Sequence, residues 1–288
     1  MLLKFAKTVG KDNPDLKYYG QEINPSTYNL CRINMFLHGI SFDNFDVRLG
    51  DTLINPEHMH EVKEFKGFDA IVSNPPYSIK WDGEDNPILI NDERFADAGI
   101  LAPKSKADLA FSMHMYHHLS ESGVAAIVEF PGVLYRGGAE QKIRKYLLEH
   151  NAVDAVIQLP ANLFFGVSIA TCIIVLRKGT KTDNSVLFVD ASPCFEKEGN
   201  KNYLRPKHQD RIAEAIEKRE DEQYFCCLKS NAEIIANDCN LSVSSYVEQP
   251  DTREKIDIAK VNEELKEVVQ KVNKFRQQVD DIVKLLGD

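Results

Sequence analysis

The sequence predicts an α/β protein with a doubly wound, mostly parallel sheet and a C-terminal helical extension. Three observations carry this prediction. Over the first two thirds of the 288 residues, short apolar runs alternate with amphipathic stretches at the spacing of strand–helix–strand crossover units. Polar side chains directly follow several of the predicted strands. An unbroken heptad pattern occupies residues 261–286, which is typical of a long helix that packs against another helix in a coiled coil.

The sequence predicts seven short strands. They cover residues 16–22, 44–49, 68–73, 124–130, 153–159, 170–177 and 186–189. The run Ala70–Val72 is apolar at consecutive positions, which is typical of a strand that is covered on both faces. The sequence therefore predicts that the strand at 68–73 is buried inside the sheet.

Amphipathic stretches between these runs predict the helices. They cover residues 25–38, 105–122, 139–150 and 206–219. Asn24 is a suitable N-cap for the first helix and Gly39 a suitable stop, while Ser105 and Asp108 have the spacing of a capping box. The polar segment 82–104 predicts a long loop, and such loops inside compact domains are usually functional or mobile.

The C-terminal helix carries one narrow apolar stripe. Its residues recur at alternating spacings of four and three: Val261, Leu265, Val268, Val272, Phe275, Val279, Ile282 and Leu286. A helix that packs on its own domain remains an alternative, but so narrow a stripe favours a coiled coil.

Composition excludes several classes of protein. Lys and Arg number 35 against 44 Asp and Glu, giving a net charge of −9, so bulk charge does not favour nucleic-acid binding. No apolar stretch is long enough to span a membrane, and no secretory signal is apparent. The six scattered cysteines predict reduced thiols in a cytoplasmic protein. Five histidines have no acidic or cysteine residue at metal-ligand spacing: His58, His60, His114, His117 and His118. They are therefore interpreted as surface or packing residues, and no metal site is predicted.

The sharpest functional signal is Asn74-Pro75-Pro76-Tyr77, directly after the strand at 68–73. Ligand sites of doubly wound sheets lie at the carboxyl ends of strands, so its position favours a site over the alternative of a proline-rich turn. Proline lacks an N–H, which leaves two acceptors, the Asn74 side-chain oxygen and the Pro75 carbonyl. Two acceptors that each take one N–H of an aromatic amine would stabilise positive charge as the nitrogen attacks, and Tyr77 could stack on the base.

These residues resemble a known family. Asn74–Tyr77 matches the catalytic tetrapeptide of the amino-methyltransferases that modify adenine in DNA. Four further segments narrow the resemblance to the modification (M) subunit of type I restriction–modification systems: Tyr19–Asn24, Ala107–Phe111, Pro131–Glu140 and Leu159–Gly166. The resemblance covers almost the whole chain and is most specific through residue 180.

The resemblance implies the fold of S-adenosylmethionine-dependent methyltransferases and a reaction on an adenine that has left the duplex. It assigns Asn74, Pro75, Pro76 and Tyr77 to catalysis. It assigns Glu22 to the cofactor ribose and Asp51 to the cofactor adenine, although each acid alone could be a turn residue. Phe164, or its neighbour Phe165, would be a second aromatic wall beside the target base.

The resemblance also implies partners and a division of the chain. DNA, a specificity (S) subunit and a restriction (R) subunit are expected, and a second M subunit is compatible with the family's assemblies. Residues 1–180 correspond to a partial catalytic methyltransferase domain, 181–250 to domain completion with a mixed extension, and 251–288 to the coiled-coil helix. No membrane contact is expected.

One departure from the family stands out. The glycine-rich cofactor loop and the first strand before it have no counterpart, and Met1–Ala6 resembles the helix that follows that loop. The expectation is a sheet without its first strand and with two open edges, in which either another polypeptide supplies the strand or the chain is a truncated product.

Three functional hypotheses result. The first is the methyltransferase subunit. The alternative is a catalytically inactive truncated fragment that acts only as an assembly or binding module. A nicotinamide-dependent oxidoreductase is disfavoured because no G-x-G-x-x-G motif is present.

Overall fold

The structure is a computed structural model that describes residues 1–10, 13, 15–58, 66–164, 168–250 and 257–287. Contacts divide the chain into two units, Met1–Gln249 and Pro250–Asp288, and each is described by itself. The strands are β1 Tyr18–Glu22, β2 Phe45–Leu49, β3 Phe68–Ser73, β4 Leu119–Glu129, β5 Val153–Gln158, β6 Cys172–Arg177, β7 Ser185–Asp190, β8 Glu196–Glu198, β9 Lys201–Tyr203 and β10 Cys226–Ser230. The helices are α1 Leu2–Val9, α2 Pro25–Leu37, α3 Pro87–Ile90, α4 Asp108–His118, α5 Ala139–Glu149, α6 Pro206–Lys218, α7 Asn231–Ala236 and α8 Ile258–Leu286.

Six strands form the central sheet in the order β10-β7-β5-β6-β4-β3. β3 is parallel to β4 and β5 is parallel to β7, whereas β6 is antiparallel to both β4 and β5. β3, β4, β5 and β7 therefore run in one direction, and only β6 and β10 oppose them. The mostly parallel α/β class predicted from the sequence is confirmed.

Helices cover both faces of this sheet, which makes it doubly wound. Alternate residues of β5 point to opposite faces: Val156 joins one apolar cluster and Ala155 the other. The first cluster contains residues of α4, α5 and α7, and the second contains Ile212 and Ala215 of α6. All six residues of β7 are buried, so the core lies around the middle of the sheet.

β1 and β2 form a separate parallel pair, in which Tyr18 is opposite Phe45 and Glu22 opposite Leu49. α1 and α2 cover it through a small cluster that includes Ala6 and Met35. Among the described residues, β1 pairs only with β2 and β3 only with β4. Within the described part of the chain, β1 and β3 therefore each have one edge without a paired strand.

The prediction that the strand at 68–73 is buried was wrong. β3 is the edge strand of the large sheet, Ala70 is exposed, and Val72 is 38% exposed. An apolar run shows that a strand is suited to burial on both faces, but no second neighbour lies beside β3 among the described residues.

Several element bounds also differ from expectation. The helix expected over 105–122 is α4, which begins at Asp108 with no side-chain cap and gives way to β4 at Leu119. The runs at 153–159 and 170–177 form an antiparallel pair rather than a crossover unit. The structure also contains the β8–β9 hairpin and the elements β10 and α7, none of which is among the elements predicted from the sequence.

The second unit is dominated by α8, a helix of 29 residues. Asp257 caps it by accepting the amides of Ala259 and Lys260 at 3.0 and 3.2 Å. The predicted helix is confirmed, whereas its coiled-coil role stays a prediction and residues 251–256 lie outside the described part. None of the described helices combines the length and apolar character that crossing a membrane requires.

Candidate active site

The Asn74–Tyr77 segment forms a tight loop at the carboxyl end of β3. Tyr77 Oη donates a hydrogen bond to Asn74 Oδ1 at 2.7 Å, so the two functional side chains are held together. Asn74 is exposed, Pro75 is buried and Tyr77 is half-buried. The loop ends at Ser78, which has a φ of +51°, a left-handed conformation that is uncommon for a residue with a Cβ.

The start of α4 holds this loop from inside the protein. Asp108 Oδ1 accepts the Ser78 amide at 2.8 Å, and the Ala107 amide donates to the Ile79 carbonyl at 3.0 Å. Asp108 is 1% exposed. Its carboxylate therefore does not cap the helix with Ser105, as the sequence suggested, but anchors the residue that follows Tyr77.

A second buried acid, Glu129, ends β4 next to this loop. It is fully buried, and Ser112 Oγ lies 3.5 Å from its Oε1 atom. Burial, reinforced by the nearby charge of Asp108, raises the pKa of Glu129 to about 8. Burial and the charges of Glu129 and Cys172 raise the pKa of Tyr77 to about 12, so Tyr77 stays a neutral donor.

Glu22 and Asp51 lie together at the carboxyl edge of the β1–β2 pair. The Gly50 amide donates to the Glu22 carbonyl at 3.0 Å, which joins the two strand ends. Each acid uses one oxygen in a local turn: Glu22 Oε1 accepts the Asn24 amide, and Asp51 Oδ1 accepts the Leu53 amide, both at 2.8 Å. Their other oxygens have no partner among the described residues, so both acids combine the turn role with free acceptors.

Arg94, in the long loop before α4, is a residue that the sequence reading missed. It is 3% exposed. Its guanidinium pairs with Asp92 and donates to the carbonyls of Thr52 and Leu53 at 2.9 and 2.7 Å. The same group lies 3.0 Å from His114 Nδ1 on α4. Arg94 therefore ties the turn that contains Asp51 to the helix that holds the Asn74–Tyr77 loop.

Aromatic side chains make a second bridge between the two sheets. The Tyr19 ring of β1 lies 5.3 Å from the Phe68 ring of β3 and 5.4 Å from the His58 ring. His58 also bonds to the Gly20 carbonyl at 2.9 Å. His118 is 4% exposed and burial lowers its pKa to about 4, as expected of a packing residue, whereas His60 lies outside the described residues.

Phe164 follows β5 and is half-buried; Phe165 lies outside the described residues. Asn202 of the β8–β9 hairpin holds this loop, donating from Nδ2 to the Ala161 carbonyl at 2.8 Å and from its amide to the Asn162 carbonyl at 3.2 Å. β3 and β5 run the same way and are three positions apart, which places their carboxyl ends roughly 14 Å from each other on one edge. The role of Phe164 beside a target base stays a prediction.

Sequence signals for the missed residues were uneven. Glu129 stands inside an otherwise apolar run. Because acidic residues are rarely buried unless they are paired, a Glu at such a position is a usable signal of a functional or structural role. The sequence distinguishes Asp108 only by its capping-box spacing from Ser105. Arg94 and Asn202 sit in polar loops, where nothing in the local pattern distinguishes a buried anchor from a solvated side chain.

Comparison with known proteins places the chain in a family. The sequence model of N-6 DNA Methylase matches residues 1–255. This chain belongs to the N-6 DNA methylase family. The matched range covers the whole first unit. It therefore includes every candidate site residue described above.

Relatives agree with this assignment. The chain is 45% identical over 287 residues to the type I restriction enzyme MpnII methylase subunit of Mycoplasma pneumoniae, covering 98% of this chain and 53% of that protein. It is 33% identical to the MjaVII methylase subunit of Methanocaldococcus jannaschii, covering 97% and 49%. The crystal structure of a type I restriction-modification system methyltransferase subunit from Streptococcus thermophilus has a TM-score of 0.80 and 46% identity, covering 86% and 52%.

These comparisons confirm the resemblance to type I restriction enzyme methylase subunits. A more distant structure, the EcoKI M protein, has a TM-score of 0.64 at 17% identity and shows the shared fold. The chain spans about half the length of the curated relatives it matches.

Proposed function

We propose that this chain carries the catalytic residues of an S-adenosylmethionine-dependent, adenine-specific DNA methyltransferase, the modification subunit of a type I restriction–modification system. The observation that carries the proposal is the Asn74–Tyr77 loop at the carboxyl end of β3. Asn74 Oδ1 is exposed and is oriented by the Tyr77 hydroxyl. A carboxamide oxygen accepts two hydrogen bonds, so one lone pair remains for substrate.

The two acceptors of this loop suit an aromatic amine. The amino nitrogen of adenine is a poor nucleophile because its lone pair is delocalised into the ring. Asn74 Oδ1 and the Pro75 carbonyl, which has no donor among the described residues, would each accept one N–H and so localise the lone pair. Such preorganised acceptors act on the charge that develops in the transition state. The proton that the nitrogen then loses passes to water, since Asn74 is exposed.

The carboxylate oxygens at the β1–β2 edge are hydrogen-bond acceptors that fit S-adenosylmethionine. When bound, this cofactor supplies an electrophilic methyl group. The free oxygen of Glu22 can accept from vicinal ribose hydroxyls, as acidic residues do in other nucleotide sites on doubly wound sheets. The free oxygen of Asp51 can accept from an adenine amino group. Arg94 holds the backbone on which Asp51 stands.

Tyr77 and Phe164 would stack on the target base, which must leave the duplex at a cost of a few kcal/mol. The net charge of −9 fits a subunit that leaves sequence recognition and much of the DNA contact to others. We therefore include DNA, a specificity subunit and a restriction subunit as partners. The apolar stripe of α8, where Leu265 is 58% and Phe275 65% exposed, is the surface proposed for the specificity subunit.

The proposal is tested by mapping N6-methyladenine in cells that carry the wild-type gene, Asn74→Ala or Tyr77→Phe. Single-molecule sequencing of genomic DNA should show a methylated motif in wild type and none with Asn74→Ala, because loss of the acceptor lowers turnover rather than cofactor affinity. Tyr77→Phe keeps the ring and loses only the 2.7 Å bond to Asn74, so it should retain partial methylation.

Circular dichroism and binding of S-adenosylmethionine by calorimetry serve as controls for folding. Both should match wild type in Asn74→Ala. Full methylation by a folded Asn74→Ala protein would contradict the proposal.

A further inference from the structure

Two carboxyl groups lie buried beneath the Asn74–Tyr77 loop. Asp108 is 1% exposed and Glu129 is fully buried. Each has one oxygen, Asp108 Oδ2 and Glu129 Oε2, with no hydrogen-bond partner among the described residues. Unpaired buried polar atoms are costly, and finding two of them on adjacent acids behind one functional loop calls for an explanation.

The other oxygen of Asp108 has a defined contact. Oδ1 accepts the Ser78 amide at 2.8 Å, and Ser78 has the unfavourable φ of +51°. A carboxylate is a stronger acceptor for an amide than a neutral group. The strained residue that follows Tyr77 is therefore held by one charge-assisted hydrogen bond from a rigid helix.

We propose that Asp108 is the positioning residue for Asn74 and Tyr77, and that Glu129 makes this positioning sensitive to pH by placing a second carboxyl group behind the first. The part that concerns methyl transfer rests on the proposed function. Neither acid is required to touch substrate, because both act through the backbone of the loop.

The electrostatics around Glu129 set the direction of the effect. Among the described residues, the titratable groups that interact with it include Tyr77 of the loop, Asp108 of α4, Cys172 of β6 and Glu140 of α5. Burial, then the charge of Asp108, raises the pKa of Glu129 to about 8, against the weaker opposing effect of its bond with Ser112. Below this pKa the group is neutral. Above it, a second negative charge lies beside Asp108 and under Tyr77.

The sign of the stability effect follows from the raised pKa. The protonated form is favoured in the folded state, so its contribution is fully present below the pKa of the unfolded chain and is lost as pH rises through about 8. The loop should therefore be ordered at neutral pH and loosen under alkaline conditions.

The first test compares Asp108→Ala with Asp108→Asn, which keeps an acceptor for the Ser78 amide. Ser78 should lose protection from hydrogen exchange by about tenfold or more in Asp108→Ala, while amides of β5 and β7 stay protected. In the assembled enzyme, turnover should fall about tenfold to a hundredfold with the KM for S-adenosylmethionine nearly unchanged. Asp108→Asn should restore most of both.

Unchanged Ser78 protection in a folded Asp108→Ala protein would overturn the positioning role, and so would an Asn variant as impaired as the Ala variant. Amide exchange does not depend on methyl transfer. If wild type proved to methylate no DNA, the proposed function would fail while the exchange result would still decide the role of Asp108.

The second test uses no variant of Asp108, so it decides the role of Glu129 even if Asp108→Ala fails to fold. Trp81, the single tryptophan, lies three residues after Ser78, and its indole N–H donates to the Pro103 carbonyl at 3.2 Å. Its fluorescence between about pH 6 and about pH 9.5 should show a transition near 8 in wild type that is absent in Glu129→Gln. Glu121→Gln, on the exposed start of the same strand, should keep the transition. A transition that persists in Glu129→Gln would overturn the assignment.

Discussion

Two of the three sheets described in the first unit, the six-stranded sheet and the β1–β2 pair, differ in how they are supported. In the six-stranded sheet, β5 and β7 have strands on both sides and are buried almost completely. In the two-stranded sheet, β1 and β2 each have one strand partner among the described residues, and only three of their ten residues are buried. The residues proposed to bind cofactor therefore stand on the weaker sheet, and the proposed catalytic loop stands on the stronger one.

This contrast shows which part of the site has the least structural support. No described backbone ladder joins β1 to β3, so side chains carry the connection. The rings of Tyr19, His58 and Phe68 form one such connection, and the Arg94 guanidinium forms a second. Side-chain bridges are individually weaker than a strand ladder, so we expect the cofactor side to open before the catalytic side does.

The largest expected effect comes from removing core volume in each sheet. Phe188→Ala, at a fully buried position of β7 whose ring lies 4.3 Å from Tyr246, should lower the free energy of unfolding of the first unit by about 3–5 kcal/mol. Met35→Ala, 1% exposed beneath β1 and β2, should cost about 2–5 kcal/mol locally.

Urea unfolding combined with amide exchange distinguishes the two. Phe188→Ala should accelerate exchange in both sheets, because global opening exposes everything. Met35→Ala should accelerate exchange in β1 and β2 alone. If Met35→Ala accelerated amide exchange in β5 and β7 as much as in β1 and β2, the two sheets would unfold as one cooperative unit. The proposed difference in their stability would then be wrong.

A smaller effect is expected from breaking the polar bridge. Arg94→Met removes the charge-assisted bonds to the Thr52 and Leu53 carbonyls and should cost about 1.5–3 kcal/mol. Because those carbonyls flank Asp51, calorimetry should show binding of S-adenosylmethionine weakened about tenfold. Arg211→Met, an exposed arginine paired with Glu222, is the matched control and should cost less than about 1 kcal/mol. Unchanged cofactor affinity in Arg94→Met would argue against the bridge.

The smallest effect on stability is expected from the second unit. Leu265→Asp with Phe275→Asp should leave unfolding of residues 1–249 within about 0.5 kcal/mol of wild type, since both side chains are more than half exposed. Co-purification with a specificity subunit should nevertheless fall sharply, because charges would enter the proposed seam. Lys266→Asp with Lys274→Asp, off the stripe, is the control. Equal co-purification of both pairs would contradict the proposed role of α8.

How much could be predicted from the sequence varied with the kind of interaction. Apolar periodicity predicted β3 to the residue and placed Asn74 at its end, because that pattern is local. It did not reveal that β3 is an edge strand, since whether a neighbour is present is not a property of residues 68–73. Asp108 illustrates the same limit: its partner, Ser78, lies 30 residues away, and no local spacing indicates that bond.

Short polar strands were missed for another reason. β8 reads Glu-Lys-Glu and carries no apolar run, so its pairing with β9 depends on backbone bonds that any sequence can make. The hairpin matters because Asn202, the middle residue of β9, donates a hydrogen bond to the loop before Phe164. A functional loop can thus depend on an element that has almost no sequence signature.

Within the described residues, β1 and β3 each have an edge without a paired strand, and this affects the colloidal behaviour of the molecule. An exposed strand edge is a template for adding strands from other molecules, and Val72 and Tyr19, 38% and 43% exposed, add apolar surface beside it. At low ionic strength the net charge of −9 keeps molecules apart by repulsion. At physiological salt that repulsion is screened beyond about 8 Å, which favours edge-to-edge aggregation. Dilute protein in low-salt buffer should therefore aggregate least during purification.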